Sequence, residues 1–405
     1  MISHGYASAW RIFNRPSRRR GRPGAAAGGK TVFWAPRVVF AQICAAGAIK
    51  AALAARSRDG IVRGERPEAG MRIATYNVEW FDALFDDAGR LLADDAWSAR
   101  HEVTRRDQIE ALAIVLTALD ADAVMVIEAP DSHRARDGVR ALETFAATFG
   151  LRARRAVIGF TNTTQQEIAL LYDPDALRVR HDPRDSAGAP RFDGTFEIDL
   201  DFDARRDRVR FSKPPLELSV ETAGGQRFRM IGAHLKSKAP HGAKTRDQIM
   251  RLSIASRRKQ LAQAIWLRQR VEEHLAAGES LIVLGDLNDG PGLDEYEALF
   301  GRSSVEIIRG EGRDGPRLYD PNASIALQRR LGAQPTTARF YIAGQDSYLQ
   351  ALLDYIFVSP DLCARRPDWR IWHPFNDPAC WRTRELREAL VTASDHYPVT
   401  LDIAI

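Results

Sequence analysis

The sequence predicts an α/β fold, one domain over residues 71–405. Three observations carry that prediction. Short apolar runs alternate along the chain with segments of helical period. No internal repeat and no linker interrupts the stretch from Met71 to Ile405. The composition is that of a globular protein: 405 residues, 45% hydrophobic and 27% charged, enough to bury a large core.

The elements follow in order. Ile73–Val78 reads as a strand. Ile109, Leu112, Leu116 and Leu119 recur at helical spacing and define one helix face. Ala123–Ile127 is a continuous apolar run, the mark of a buried strand, and Ile168–Tyr172, Phe228–Leu235 and Leu281–Leu284 read the same way. Thr245 and Gln248 have capping-box spacing and open a long helix, with Leu252, Leu261 and Ile265 on its apolar face. Residues 301–345 carry Gly, Pro, Arg and Asp without a period and read as loop. Leu352–Val358 and Tyr397–Ile405 supply the last strands.

The net charge of +5 divides unevenly. Residues 1–70 hold 13 Lys and Arg against 3 Asp and Glu, a net of +10. The remainder holds 45 against 50, a net of −5, so the basic pI is not by itself a nucleic-acid footprint. Residues 1–70 read as a basic, poorly ordered extension, with Met71 an alternative start. An Arg-rich targeting segment and a basic tail for nucleic acid or membrane are the competing readings. No run of about 18 uncharged apolar residues occurs, so no spanning helix is expected. Cys44, Cys363 and Cys380 cannot build a disulfide framework or a four-thiolate zinc site. A reducing, cytoplasmic location and a monomer are the default expectations, with export through the Arg-rich segment as the alternative.

Polar residues with chemical potential recur at the ends of the apolar runs. Asn77 and Glu79 close the first, Glu128 ends the second, and His234 lies near the end of Phe228–Leu235. Asp286 and Asn288 follow Leu281–Leu284, Asp354 begins a strand, and Asp395-His396 precede the final one. If the last two strands run antiparallel to the others, all of these reach one sheet edge. Carboxylate and amide oxygens are hard ligands suited to Mg²⁺ or Mn²⁺, and no Cys/His spacing competes for zinc. Such a set points to metal-assisted phosphate-ester hydrolysis, with a carboxylate taking a proton from water and a histidine facing the phosphate. Taken singly, each residue has a plainer use. Asn77, Asp286 and Asn288 suit turns, Asp354 a strand start, His234 a buried core site, and Lys236 and Lys238 a solvated edge.

Six blocks in order give the set its specificity: Thr75-Tyr76-Asn77-Val78, Val126-Ile127-Glu128, Gly232 through Lys238, Gly285-Asp286-Leu287-Asn288, Leu353-Asp354-Tyr355, and Ser394 through Val399. Together they resemble the endonuclease/exonuclease/phosphatase superfamily over residues 71–405. The resemblance implies a four-layer sandwich of two packed mixed β-sheets flanked by helices, with the site at one edge. It implies Glu128 as the principal metal ligand, assisted by Asn77 and Asp395. It gives Asp286 the water, Asn288 the scissile phosphate or a second metal, and His396 a phosphate contact oriented by Asp354. His234 becomes the second phosphate-facing histidine, Lys236 and Lys238 further phosphate contacts, and Gln166 the partner of His234 where relatives place a Glu.

The resemblance names the bond and leaves the molecule open. The leading expectation is a Mg²⁺- or Mn²⁺-dependent phosphodiesterase acting on nucleic acid, as an endonuclease on DNA. A phosphatase or phosphodiesterase for a small or lipid phosphate ester, sphingomyelinase-like or inositol-phosphatase-like, is the alternative. A binding protein without catalysis is the third reading. Arg257, Arg258 and Lys259 on the long helix mark a local basic groove, and Trp80-Phe81 and Phe160 read as core or as base-stacking rings. His4, His101, His133, His181, His241, His274 and His373 fit no block and read as surface or structural.

Overall fold

A computed structural model describes residues 70–200, 207–238, 245–290, 301–310, 315–328, 334–342 and 347–405. The basic extension expected at residues 1–70, with Cys44 and His4, lies outside the described residues except for Gly70, as does His241.

Fifteen strands are present among the described residues: β1 (Met71–Asn77), β2 (Ala123–Ala129), β3 (Arg155–Ile158), β4 (Glu167–Tyr172), β5 (Leu177–His181), β6 (Phe196–Ile198), β7 (Asp207–Val209), β8 (Leu216–Thr222), β9 (Arg227–His234), β10 (Leu281–Asp286), β11 (Ala338–Ile342), β12 (Ser347–Ala351), β13 (Asp354–Val358), β14 (Asp368–Ile371) and β15 (Val399–Ile403). The α-helices are α1 (Arg105–Leu119), α2 (Gly138–Phe149), α3 (Arg246–Ala276), α4 (Ser304–Arg309), α5 (Pro321–Leu327), α6 (Pro360–Cys363), α7 (Pro378–Arg382) and α8 (Arg384–Ala393). All the strands expected from the apolar runs form, with ends shifted by one or two residues. The loop expected over 301–345 is broken by α4, α5 and β11. The first two helices are too short for a period to show, but Ser303–Glu306 closes a capping box and Asp320 caps α5 with Pro321 behind it.

One sheet has the order β14-β15-β1-β2-β4-β3 and the other β13-β10-β9-β8-β5. Both are mixed, and both repeat one local arrangement. β1 runs parallel to β2 and antiparallel to β15, while β10 runs parallel to β9 and antiparallel to β13. The C-terminal ends of two parallel strands and the N-terminal end of an antiparallel neighbour therefore meet at one edge of each sheet, as expected.

Side-chain alternation builds the layers. Ile73, Met125, Ile127, Ile168 and Leu170 from the first sheet pack on Leu218, Met230, Ile282, Leu284 and Ile356 from the second. The outer face of the first sheet, with Tyr76, Val124 and Val126, is covered by α1, α2 and α8. The outer face of the second, with Ile231, Val283 and Phe357, is covered by α3, α4 and α5. The result is helix, sheet, sheet, helix: the four-layer sandwich expected. No helix among the described residues is long and apolar enough to cross a membrane. Cys363 and Cys380 are both free thiols.

Helix α3 starts where expected, with the Thr245–Gln248 capping box formed. Its buried stripe differs from the expected one. Leu252 is 40% exposed, while Ile249, Ser253, Arg257, Gln260, Ala264, Leu267, Val271 and His274 are buried. The stripe keeps helical spacing but mixes polar with apolar residues, so an apolar count misplaces it.

Two tests follow. Gly285 in β10 has φ +136°, and a Cβ there would lie 2.0 Å from the Ala233 carbonyl oxygen of β9. Strain and overpacking together should make Gly285→Ala destabilising by about 2–5 kcal/mol, read from the shift in denaturation midpoint. Buried His373 accepts hydrogen bonds at Nδ1 from the Phe375 and Asn376 amides, both at 3.1 Å. Burial, then the Arg339 guanidinium, pushes its pKa down to about 4, against the pull of Asp377. The unfolded chain, with an ordinary histidine near about 6.5, then binds the extra proton first. Stability should fall as pH drops from about 6.5 toward 4, and His373→Asn should flatten that part of the melting-temperature profile.

Candidate active site

The inward-facing stripe of each strand changes from apolar to polar at the shared edge. In β1 the stripe Met71, Ile73, Thr75 ends in Asn77; in β9 Met230 and Gly232 lead to His234; in β10 Ile282 and Leu284 lead to Asp286. In β13 Ile356 and Val358 follow Asp354. Pairing register sets Asp286 directly opposite both His234 and Asp354. Asn77 reaches across the sandwich and donates from Nδ2 to Asp286 Oδ2 at 3.2 Å. Asp286 also accepts the Asn288 backbone NH at 2.7 Å and Asn288 Nδ2 at 3.1 Å. Asn288 stands at φ +50° and donates from the same Nδ2 to the Leu235 carbonyl, while its own carbonyl is held by Gln260.

His396 comes from the loop before β15. Its Nδ1 lies 2.7 Å from Asp354 Oδ2, and the Thr337 hydroxyl donates to the same oxygen at 2.8 Å. The Ser394 hydroxyl donates to the Asn77 carbonyl and accepts the His396 amide, tying this loop to the end of β1. Burial disfavours the imidazolium, but the Asp354 carboxylate at Nδ1, then Asp286 and Asp395, overcome it and hold His396 well above the ordinary histidine value. Nδ1–H thus faces Asp354 and Nε2–H faces outward, with Asp395 Oδ1 at 3.9 Å.

His234 is held in the opposite state. Burial, then Lys213, His396 and Lys236, push it well below the ordinary value. Lys213 Nζ lies 3.2 Å from both ring nitrogens, and Asp286 Oδ2 lies 3.5 Å from Nε2. The partner expected at Gln166 is not made: among the described residues its side chain forms no hydrogen bond to His234, and its carbonyl accepts from Asn162. Lys213 occupies that role instead. It comes from the segment before β8, where a single lysine in Ser212-Lys213-Pro214 carries no periodic signal.

Glu128 is placed by a β-bulge. Ile127 pairs with Ile168 and Ala129 with Glu167, leaving Glu128 as the extra residue, at φ +63°. The bulge turns its carboxylate to the edge, where Oε2 accepts the Trp80 amide at 3.0 Å. Asn77 Oδ1 accepts the Glu79 amide at 3.1 Å. Asp395 is half-buried, and desolvation together with nearby Glu128 raises its pKa, against His396 and Arg100. Glu79 is a site residue whose role the sequence did not reveal. It bonds the Arg100 guanidinium and accepts the Asp395 amide at 3.0 Å, and burial, then Asp395, lifts it to about 7.

The donor set fits a hard divalent cation by its chemistry. Asn77, Glu128 and Asp395 offer an amide and two carboxylate oxygens, and Glu128 is close enough to disfavour the charge on Asp395. Among the described residues no three His, Cys, Asp or Glu side chains form a ready-made ligand cluster. Asp286 stands apart as a base: burial lifts it to about 7, with Asp354 adding to the shift and His396, the Asn288 amide and Lys213 opposing it.

The expected cations divide. Lys236 is half-buried, and burial and Lys259 lower its pKa. Lys213 and Lys236 therefore form a pair of disfavoured positive charges beside His234, a natural seat for an anion, with Lys259 next to Lys236. Lys238 is not part of it. Its Nζ is 2.7 Å from buried Asp289, which also binds Arg257 at 2.8 Å. Arg258 pairs with Asp207. Of the expected basic groove only Lys259 faces the site. Phe81 is core, Trp80 is 38% exposed, and Phe160 packs on His181 under Arg191. Buried His274 is structural, fixed between Glu217 and Glu279.

The chain is similar to several known proteins. Solved structures that resemble it include the human Nocturnin catalytic domain with bound sulfate (15% identity, 82% of this chain and 93% of that one, TM-score 0.41). A mannosyl-6-phosphatase of Bacteroides thetaiotaomicron is similar at 15% identity, over 83% of this chain and all of its own, with a TM-score of 0.43. An AP endonuclease from Archaeoglobus fulgidus is similar at 13% identity over the same shares, with a TM-score of 0.44. No curated protein sequence matches the chain. The sequence model of the Endonuclease/Exonuclease/phosphatase family matches residues 74–396, spanning every site residue from Asn77 to His396, and the chain belongs to that family of phosphoester hydrolases.

Proposed function

We propose that this protein is a divalent-metal-dependent phosphodiester hydrolase acting as an endonuclease on DNA. The observation that carries the hydrolase reading is the pairing of a charged and a neutral histidine across Asp286. Asp354 holds His396 as imidazolium at 2.7 Å, and Lys213 and burial hold His234 neutral.

The chain's own groups divide the work. Lys213, Lys236 and the outward Nε2–H of His396 receive the phosphate oxygens and stabilise the charge that develops on them. Asn77 and Asn288 fix the Asp286 carboxylate from two sides, so it is oriented toward a water at the phosphorus. Asp286 accepts the water's proton as the new P–O bond forms, and the ester P–O bond breaks on the opposite side. The leaving oxygen departs with the bonding electron pair and takes a proton from the His396 imidazolium, which Asp354 keeps charged. A divalent cation held by Asn77, Glu128 and Asp395 would neutralise phosphate charge as a Lewis acid.

A second reading, hydrolysis of a small phosphate ester, is favoured by one observation. Arg257, Arg258 and Lys238 are all spent on internal carboxylates, which leaves the edge beside α3 with few cations for a long polyanion.

The deciding assay offers plasmid DNA, single-stranded RNA and a chromogenic bis-phosphodiester to the full chain with Mg²⁺, Mn²⁺ or chelator. Metal-dependent nicking of plasmid, abolished by chelator, is expected; turnover of the small diester with DNA untouched would overturn the nuclease reading. His396→Ala should lower turnover on the order of 10²–10⁴-fold, with the variant's folding checked by its melting temperature because Asp354 loses its buried partner. Asp354→Asn should act through His396 and shift the acid or alkaline limb of the pH–rate profile as well as the rate. Wild-type turnover in either variant would remove the mechanism.

A further inference from the structure

The β11–β12 hairpin stands beside the catalytic edge. The Arg339 amide donates to the Asp395 carbonyl at 2.8 Å, and the Phe340 ring meets His396 edge-on at 5.7 Å. From this anchor a ridge of alternating guanidinium and aromatic groups leads away. The Arg339 guanidinium lies 3.4 Å from the centre of the Tyr348 ring and 5.1 Å from that of Phe375. Phe375 lies 6.3 Å from Trp381, and Arg387 sits over Trp381 at 4.7 Å. A cavity of about 430 Å³ opens between the ridge and Asp395, with Arg339, Tyr348 and Tyr397 in its wall.

Two features of the ridge point to a ligand. Tyr348, Phe375 and Trp381 are 51%, 40% and 52% exposed, although large rings gain stability by burial. Arg339 and Arg387 stack on rings and form no ion pair with a carboxylate among the described residues, unlike Arg257, Arg258 and Arg100. A stacked guanidinium still presents edge donors to phosphate; Arg387 spends Nη1 on the Trp381 carbonyl at 2.6 Å and keeps its other nitrogens. Ring faces for bases and cations for the backbone are the two parts of a single-strand binding surface. A duplex, whose bases are already stacked, has no use for the rings. An interfacial membrane surface would add aliphatic side chains, and the ridge residues Arg339, Tyr348, Phe375, Trp381 and Arg387 include none.

We propose that this ridge binds the unpaired nucleotides flanking the scissile phosphate, so that cleavage falls at locally single-stranded segments of the DNA, such as those a supercoiled plasmid exposes. Tyr348 and Trp381 stack bases, and Arg339 and Arg387 hold neighbouring phosphates. The inference rests on the nucleic-acid reading above and names the strand state that reading leaves open.

The test separates binding from hydrolysis. The full chain, in chelator, is titrated into a short fluorescein-labelled oligothymidylate and into a duplex of equal length, and anisotropy is read at several salt concentrations. The single strand should bind more tightly than the duplex. Tyr348→Ala and Trp381→Ala should each weaken it about tenfold, with Trp381→Phe close to wild type. Arg339→Gln should weaken binding and reduce the log–log salt slope by about one. Equal binding of duplex, or unchanged binding in all the variants, overturns the proposal. So does binding of phosphatidylserine vesicles without binding of oligonucleotide, which would make the ridge a membrane surface. Cleavage of the bis-phosphodiester without oligonucleotide binding would overturn the ridge alone. Oligonucleotide binding without cleavage of any diester would overturn the hydrolase reading and keep the ridge.

Discussion

The site depends on how the space between the two sheets ends. One apolar layer fills that space, and every strand that borders it contributes alternate residues. At one edge the same inward positions become Asn77, His234, Asp286 and Asp354. These side chains remain buried, so each must find a polar partner or lose its charge. They find one another. Asn77 bridges the sheets to Asp286, Asp286 faces His234, and Asp354 takes His396.

Burial then sets the electrostatics. Two imidazoles with the same intrinsic proton affinity end in opposite states: burial, seconded by Lys213, lowers His234, whereas at His396 the hydrogen-bonded Asp354 carboxylate overcomes burial. Burial drives carboxylates in the same pocket toward neutrality, and at Asp286 and Glu79 it outweighs the cations beside them, so both rise to about 7. Gly285 contributes by having no side chain: β9 approaches so closely that any Cβ would meet the Ala233 carbonyl.

Away from the centre, cations separate into structural and available ones. Arg257 is wholly buried on α3 and pairs with Asp289, which also holds Lys238 and caps the start of α4. Removing one partner of such a buried pair costs more than the pair itself contributes, so these groups serve the fold. Arg339 and Arg387, stacked on exposed rings, are placed on the outer surface beside the hairpin.

Much of this was legible in the chain. The strands showed as apolar runs because both of their faces are covered. Asn77, Glu128, His234, Asp286, Asp354 and His396 showed because a polar residue at the end of such a run is unusual. The antiparallel course of β13 and β15 could be expected from Asp354 and Asp395-His396 standing before their strands rather than after them. What tertiary structure alone decided depends on approach between distant segments. The bulge that aims Glu128 exists because β4 pairs past one residue of β2. Lys213 became part of the site, and Lys238 and Arg257 did not, through contacts across sequence separations that no local period encodes. A sequence states which side chains can carry charge. Only the packed structure decides which of those charges are already neutralised.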